Sequence, residues 1–309
     1  MIPVVVIQGP TAVGKSQLAM QLAAEFKTDI ISADSRQVYK YLNIGTAKPS
    51  LQEQKTVKHH IINIIEPNQE YSAGDFARDA SECIKSLHRI RKLPIVCGGT
   101  MFYIKALQEG IFKAPNIPRK IRKELQKIAE EKGSEFLHDK LKQVDPDSAE
   151  RANPNDANRI IRALEVFEHT GKTITQLWQE NPAGKNDFIF FNILINENRE
   201  ILYKKINDRV DKMVEMGLIE EFQNLLEMGY NEDSPGMNTV GYKELFAFQK
   251  EKKILDECLN DIKQHTRNYA KRQLTWYRKT VFDLTLEASD ITLYAVLKGI
   301  KNWMEKMKT

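Results

Sequence analysis

An α/β protein is what this sequence predicts: a parallel sheet flanked by helices, interrupted by an all-helical insertion. Three observations carry the prediction. A β-branched run, Val4 to Ile7, ends on a glycine loop and runs on into a helical pattern. Short apolar runs and helical stripes then alternate as far as Cys97, and such alternation implies a doubly wound parallel sheet. From Lys113 the runs stop in favour of charged helical sequence, and a strand pattern resumes only at Phe188.

Taken in order, Val4 to Ile7 is the first strand, and the helix Ser16 to Phe26 carries Leu18, Leu22 and Phe26 at helical spacing. Asp29 to Ser32 reads as the second strand, leading to Asp34. Ile61 to Ile65, after the pair His59 and His60, reads as the third. Ser72 to Arg91 is predicted helical, with Phe76, Ala80, Ile84, Leu87 and Ile90 on one face and Ser72 as N-cap. Pro94 to Cys97 reads as the fourth strand, closed by Gly98-Gly99-Thr100. Residues 117–181 read as helical and charged, and Pro118 suits a first turn. Asn155 is the expected cap of a helix whose stripe is Ile160, Leu164 and Phe167 and whose stop is Gly171. Phe188 to Ile195 resumes the sheet. The remainder reads mostly as helix, one stripe formed by Leu202, Ile206, Val210 and Met213, another by Leu255, Leu259, Ile262, Tyr269 and Trp276. The expected division is a core of residues 1–112 and 188–309, with 113–187 as a helical insertion.

With 309 residues, 41% hydrophobic and 28% charged, the chain is long enough for a substantial core. No stretch approaches the ~20 apolar residues of a membrane span, so no membrane partner is expected. The N-terminus has no basic leader before Pro3-Val4-Val5. Cys83, Cys97 and Cys258 form no CxxC pair, so a reduced, cytoplasmic protein without structural zinc is expected, and nothing suggests an obligate assembly, so a monomer is expected. A net charge of +4 is too mild to predict nucleic-acid binding. Its clustering says more. Residues 113–143 hold Lys113, Arg119, Lys120, Arg122, Lys123, Lys127, Lys132, Lys140 and Lys142, and residues 263–279 hold Lys263, Arg267, Lys271, Arg272, Arg278 and Lys279. Such runs are either solvated helix faces or a footprint for phosphates.

Gly9-Pro10-Thr11-Ala12-Val13-Gly14-Lys15-Ser16 matches the phosphate-loop pattern in full, with a strand before it and a helix after. Backbone N–H groups at the loop and helix start surround an anion, Lys15 adds a point charge, and Ser16 is placed to ligate Mg²⁺. The core is therefore expected to be P-loop and nucleotide-kinase-like. The loop specifies phosphate, not ATP. An NTPase also carries an Asp at the end of a strand to orient Mg²⁺, whereas Ile95-Val96-Cys97 runs into Gly98-Gly99-Thr100. A carboxylate, Asp34, follows the second strand instead. Ligands sit beyond the carboxyl ends of such strands, so Gly9–Ser16, Asp34 and Thr100 should converge.

Further blocks carry a resemblance. They are DSRQVYKYLNIGTAKP from Asp34 to Pro49, the pair His59 and His60, YSAGDFARDA from Tyr71 and GGTMFY from Gly98. They continue with NDANRIIRALEVFEHTG from Asn155, VGYKE from Val240 and YAKRQLTWYRK from Tyr269. In this order, over nearly the whole chain, they resemble the tRNA dimethylallyltransferases. The resemblance implies transfer of a dimethylallyl group from dimethylallyl diphosphate to the exocyclic amine of the adenosine beside the tRNA anticodon, position 37. The phosphate loop then holds the diphosphate leaving group, with Mg²⁺ as cofactor. Asp34 takes the family's general-base position, its plain alternative being a helix cap or a group behind the metal. Arg209 takes the family's arginine position on the diphosphate, its alternative a surface ion pair with Asp208 or Asp211. Thr100 matches a tRNA-contacting threonine, and it also suits a helix cap. Ser35, Arg36 and Gln37 match the stretch that reads the flipped base, although other members often carry Ala at the position of Arg36. Arg122 and the run Asn158, Arg159, Ile160, Ile161, Arg162 match further tRNA positions, with Arg159 and Arg162 expected away from the apolar face. Arg267, Lys271 and Arg278 suit either a second backbone strip or a plain amphipathic helix. Loop packing is the expectation for His59 and His60; Tyr39, Phe102 and Tyr103 are expected in core packing, the alternative being the lining of the prenyl pocket. Eukaryotic relatives append a zinc-finger extension that this chain does not carry, so a bacterial-type member is expected.

Other readings keep the loop and change the chemistry. A nucleotide or small-metabolite kinase shares loop, sheet and helical lid, and would consume ATP. A prenyltransferase acting on free AMP needs no RNA surface, which leaves the basic insertion unexplained. A non-catalytic RNA-binding protein leaves the intact phosphate loop beside Asp34 unexplained.

Overall fold

The computed structural model describes residues 1–110, 117–180 and 187–307, so Lys113 in the first basic run lies outside the described residues. In chain order the elements are β1 (Ile2–Gln8), α1 (Lys15–Glu25), β2 (Ile30–Ser32), α2 (Leu51–Thr56), β3 (His59–His60), α3 (Ala73–Arg89), β4 (Ile95–Cys97) and α4 (Met101–Glu109). Next come α5 (Arg119–Lys132), α6 (Ser134–Val144), α7 (Pro146–Arg151), α8 (Ala157–Thr170) and α9 (Ile174–Glu180). The chain continues as β5 (Phe188–Asn196), α10 (Arg199–Glu215), α11 (Leu218–Glu227), α12 (Leu245–Gln249), α13 (Leu255–Tyr277), β6 (Leu284–Glu287) and α14 (Leu293–Lys306). It divides into two compact units, Met1–Gln108 with Asn186–Thr309, and Glu109–Lys185.

The first unit is built on one sheet of order β3-β2-β4-β1-β5-β6, parallel at every pair. β1 lies at its centre, which is why Val4, Val5, Val6 and Ile7 are fully buried and show no polar alternation. The connection leaving β1 crosses toward β2, whereas the one leaving β4 returns past β1 to β5. Chain paths therefore diverge between the carboxyl ends of β1 and β4, the position where such sheets bind ligands. α1 packs Leu18, Ala19, Leu22 and Ala23 onto the sheet. α3 is fixed by Ser72 and Asp75, which cap each other's backbone reciprocally, and it buries Phe76, Ala80, Ile84 and Leu87. The stripe Leu202, Ile206, Val210 and Met213 is the buried face of α10.

Four sequence expectations need correction. The third strand is His59–His60, not Ile61–Ile65, because Ile61 and Asn63 take left-handed φ of 61° and 55° and break the strand. The buried face of α13 is Cys258, Ile262, Ala270, Gln273 and Tyr277, and only Ile262 belongs to the expected stripe. After α13 the chain adds an edge strand, β6, within a remainder expected to be mostly helix; its only apolar residues are Leu284 and Leu286, neither of them buried. The cap of α8 is Asp156, whose carboxylate accepts Arg159 N, rather than Asn155.

The second unit, as described, consists of α5 to α9 around a small core that includes Leu125, Leu137, Leu141, Ala149, Ile160 and Leu164. Gly171 ends α8 in the left-handed conformation, φ 70°, as its sequence position implies.

Candidate active site

The phosphate loop joins β1 to α1 through two glycines with different jobs. Gly14 caps α1 at φ 101°, with open space where a side chain would be, so its requirement is conformational. Gly9 meets a steric limit, since a Cβ there would stand 2.5 Å from Ile195 O and 2.9 Å from Val13 Cγ1. Lys15 Nζ donates to Pro10 O at 2.6 Å, holding the ammonium over the loop. Burial pulls this ammonium down to about 8; Cys97 works against that, the Arg209 charge adds to it, and Asp34 works against it. Ser16 is exposed on the first turn of α1.

Asp34 stands beyond the end of β2. Its Oδ1 accepts Arg36 N at 2.8 Å and Gln37 N at 3.4 Å, which shapes the turn that follows. No helix follows here, so Asp34 shapes a turn over residues 35–38 and is not the helix cap that was its plain alternative. Arg209, half-buried on α10, has its pKa lowered by burial, with the Asp34 carboxylate opposing the shift. Three charges from three elements therefore act on one another: Lys15 on α1, Asp34 after β2 and Arg209 on α10.

Thr100 ties the β4 loop to the β2 loop. Its Oγ1 accepts Ser35 N at 2.9 Å and donates to Ser35 Oγ at 3.3 Å, and its own N–H donates to Ala33 O at 3.1 Å. Its carbonyl receives Tyr103 N and Ile104 N at the start of α4. The glycines before it allow that approach: a Cβ on Gly98 would collide with the Ala33 carbonyl, and one on Gly99 would stand 2.5 Å from Gln273 Nε2. Gln37 is spent on internal bonds, its Oε1 accepting Ser32 Oγ at 3.0 Å and its Nε2 donating to Ala47 O at 3.1 Å. Tyr39 and Tyr103 are buried, and Tyr103 stacks on Phe76 with centroids 4.6 Å apart, as core packing requires. Phe102 departs from that expectation and is 60% exposed. His59 Nδ1 pairs with Val57 O, and His60 Nε2 with Asp29 Oδ2, so both histidines are engaged locally.

Several positioning groups went unnoticed in the sequence. Lys48 is almost buried, donates to Tyr39 O, Asn43 Oδ1 and Asn63 Oδ1, and burial pulls it down to about 8. Glu221 accepts the backbone N–H groups of Asn43, Ile44 and Gly45, and the Tyr242 hydroxyl bonds both Glu221 and Gly45 N. These contacts brace the loop that follows Gln37. Gln273 and Tyr277 of α13 bond the phosphate loop itself. The only signal for Lys48, Tyr242, Gln273 and Tyr277 was a place inside the quoted blocks, such as Gln273 in YAKRQLTWYRK, and Glu221 lies in none of them.

In the second unit, Glu165 is 2% exposed and accepts Arg162 Nη1 at 2.6 Å, with Arg122 Nη1 at 3.8 Å. Arg122 and Arg162 are thus tethered to a buried carboxylate, and Arg162 is only partly on the solvent side. Arg159 is exposed, with a surface pair to Asp156 at 3.2 Å, and Asn158 is exposed beside it. Ile160 and Ile161, grouped with the tRNA-contacting run, are 0% and 4% exposed in the core of this unit, so their side chains are not available to a ligand. On α13, Lys263 pairs with Asp211, Arg267 donates to Asn207 Oδ1, and Arg272 stands over the Tyr269 ring.

An IPP transferase family model matches residues 37–280. The chain belongs to the IPP transferase family. A tRNA dimethylallyltransferase from Thermoanaerobacter sp. strain X514 is 43% identical over 301 residues, 96% of this chain and 95% of that protein. The full-length tRNA isopentenylpyrophosphate transferase of Bacillus halodurans superposes with a TM-score of 0.71 at 34% identity, covering 99% of this chain and 96% of that one. A eukaryotic dimethylallyltransferase acting on tRNA gives 0.77 at 33% identity, over 94% and 75%. The IPP transferase match begins at Gln37, so the loop Gly9–Ser16 and Asp34 lie ahead of it.

Proposed function

We propose that this chain transfers the dimethylallyl group of dimethylallyl diphosphate to the exocyclic amine of adenosine 37 in tRNA. The mutual influence of Lys15, Arg209 and Asp34 at the switch point of the sheet carries the reading: two cations suited to a departing diphosphate stand near a carboxylate suited to a proton. In the transfer the C1–O bond of the donor breaks and its electron pair leaves with the diphosphate, while the amine nitrogen bonds C1. Lys15, Arg209 and the loop amides stabilise the charge that develops on the diphosphate. An adenine amine is weakly basic but becomes acidic as its bond to carbon forms, so the Asp34 carboxylate accepts its proton. Thr100 and Ser35 hold the acceptor loop against β4. The target base must leave its stack to reach this point.

Among the described residues no three His, Cys, Asp or Glu side chains are grouped to hold a metal ion, and Ser16 offers one exposed hydroxyl. That donor set fits a Mg²⁺ that arrives with the diphosphate and takes most of its ligands from phosphate and water. Bound there, the ion would neutralise charge on the leaving group. The exposed Asn158, Arg159 and Arg122, with the half-buried Arg162, are the proposed RNA contacts of the second unit. No helix among the described residues is long and apolar enough to cross a membrane, and cytoplasmic tRNA is the proposed partner of a monomer.

Purified protein with Mg²⁺ is expected to move label from dimethylallyl diphosphate to unmodified anticodon stem-loop RNA without ATP. No transfer, combined with phosphorylation of a nucleotide from ATP, would replace this reading with the kinase one. Transfer to free AMP but not to RNA would change the acceptor. Arg159→Ala is expected to weaken RNA binding and to reduce the slope of log K against log salt by roughly 0.7–0.9, the contribution of one phosphate contact. An unchanged slope would put Arg159 off the RNA, leaving only a surface pair with Asp156 worth about 0–1 kcal/mol.

A further inference from the structure

Three side chains of α13 reach the two loops that flank the switch point. Tyr269, Gln273 and Tyr277 recur every fourth residue, so they rise along one face of the helix, a turn apart. Tyr277 Oη donates to Gly9 O at 3.2 Å, and Tyr269 Oη donates to Gly99 O at 3.2 Å. Between them, Gln273 Oε1 accepts Thr11 N at 2.9 Å while its Nε2 donates to Gly99 O at 2.8 Å. Gln273 is 1% exposed. A carboxamide buried that deeply is costly unless both ends are bonded. Here both are, one to each loop, so the orientation of the amide and the spacing of the loops are fixed together. Pro10 has no N–H and the Thr11 N–H is committed to Gln273, so the loop presents its anion with amides from Ala12 onward. A Cβ on Gly99 would stand 2.5 Å from Gln273 Nε2, so a larger residue there would have to displace the amide that makes these bonds.

The two bridged loops have different tasks in the transfer proposed above, on which this inference rests. One holds the leaving group, and the other, through Thr100 and Ser35, holds the acceptor side next to Asp34. Displacement at C1 needs the attacking nitrogen, the carbon and the departing oxygen in register, and their spacing is set by the spacing of the loops. We infer that Gln273 is a positioning residue for the transfer, acting as the strut between the diphosphate loop at Thr11 and the acceptor loop at Gly99, with Tyr277 and Tyr269 steadying it from either side. It touches neither substrate. Its effect falls on turnover, since a misplacement of about 1 Å costs on the order of 10²-fold in rate.

The test compares wild type, Gln273→Met, Gln273→Glu and Tyr277→Phe under saturating donor and stem-loop RNA, with RNA Kd and melting temperature measured alongside. Wild-type transfer establishes the underlying reading, and its failure would remove that reading before any variant is compared. Gln273→Met fills the space without either bond and is expected to lose about 10²-fold in kcat, with RNA Kd within about twofold. Gln273→Glu keeps the shape but, ionised, cannot donate to Gly99 O. A buried carboxyl is raised by as much as 3–5 units, so its activity relative to wild type should be low near pH 8 and climb as the pH falls toward about 6. Tyr277→Phe keeps the ring and drops one bond, for a loss of roughly threefold to tenfold. Wild-type kcat in a folded Gln273→Met would overturn the inference. So would a Gln273→Glu ratio that stays flat with pH. Should Gln273→Met not fold, the pH ratio of Gln273→Glu and the kcat of Tyr277→Phe decide the matter.

Discussion

Asp34→Asn is expected to lower kcat by about 10²–10⁴-fold, the usual contribution of a positioned general base, with RNA affinity nearly intact. Asparagine is the informative replacement. The hydrogen bonds from Arg36 N and Gln37 N both end on Oδ1 of Asp34, and an amide oxygen can accept them as the carboxylate does. The turn then survives while the base is lost. Asp34→Ala removes both, so any extra loss in alanine over asparagine measures the turn alone. Single-turnover transfer with filter binding of the stem-loop separates the two. If RNA binding collapses in Asp34→Asn while the rate per bound complex holds, Asp34 reads the RNA and does not take the proton.

Lys15→Met is expected to cost about 10²–10³-fold in kcat, the scale seen when one preorganised donor to a developing anion is removed. The pH profile of the wild type offers a second view of the same side chain. Burial has pulled the Lys15 ammonium down to about 8, with Arg209 adding to the effect. The charged form is the one that serves the diphosphate, so kcat/KM for the donor should fall as the pH rises through about 8 in the free protein. Bound diphosphate holds the proton on, so kcat should bend at higher pH than kcat/KM. Asp34 opposes the lowering, and Asp34→Asn should therefore move the alkaline limb to lower pH. A kcat/KM profile that is flat between about pH 7 and pH 10 would show that this charge is not needed for donor capture. The sign for stability is opposite. A lysine whose folded value is about 8 against 10.5 unfolded penalises folding below 8, and that penalty disappears as the pH climbs toward 10.5.

The parts of this molecule that could be read in advance are those whose cause is local. Val4 to Ile7 followed by Gly9–Ser16 gave strand, loop and helix, because backbone conformation and the anion site both follow from adjacent residues. The Leu202–Met213 stripe and the Ser72 cap were legible for the same reason. Gln273 was not legible. A search for apolar periodicity passes over a glutamine, and the bonds that make its burial tolerable end on residues 262 and 174 positions away. Glu221 was missed on the same grounds, and Lys48 because nothing in an apolar pattern marks a lysine as buried, although its partners are only 5 to 15 positions away. Ile61–Ile65 looked like a strand because it is apolar, yet Ile61 and Asn63 take left-handed turns that composition alone does not reveal. In the insertion, arginine spacing located Arg159 on the surface but could not show that Arg162 leans on the buried Glu165.

The strut from α13 also bears on how the protein is made. Gly9 and Thr11 are synthesised well ahead of Tyr277 and Gln273, which are separated from them by 268 and 262 residues. At synthesis rates of roughly 5–20 residues per second, the nascent phosphate loop waits on the order of ten to fifty seconds for its clamp. During that interval the sheet can form while its anion-binding loop stays unbraced. A chain cut short anywhere before α13 would keep a recognisable loop sequence without the helix that sets its spacing. Completion of the site is thereby coupled to the synthesis of α13.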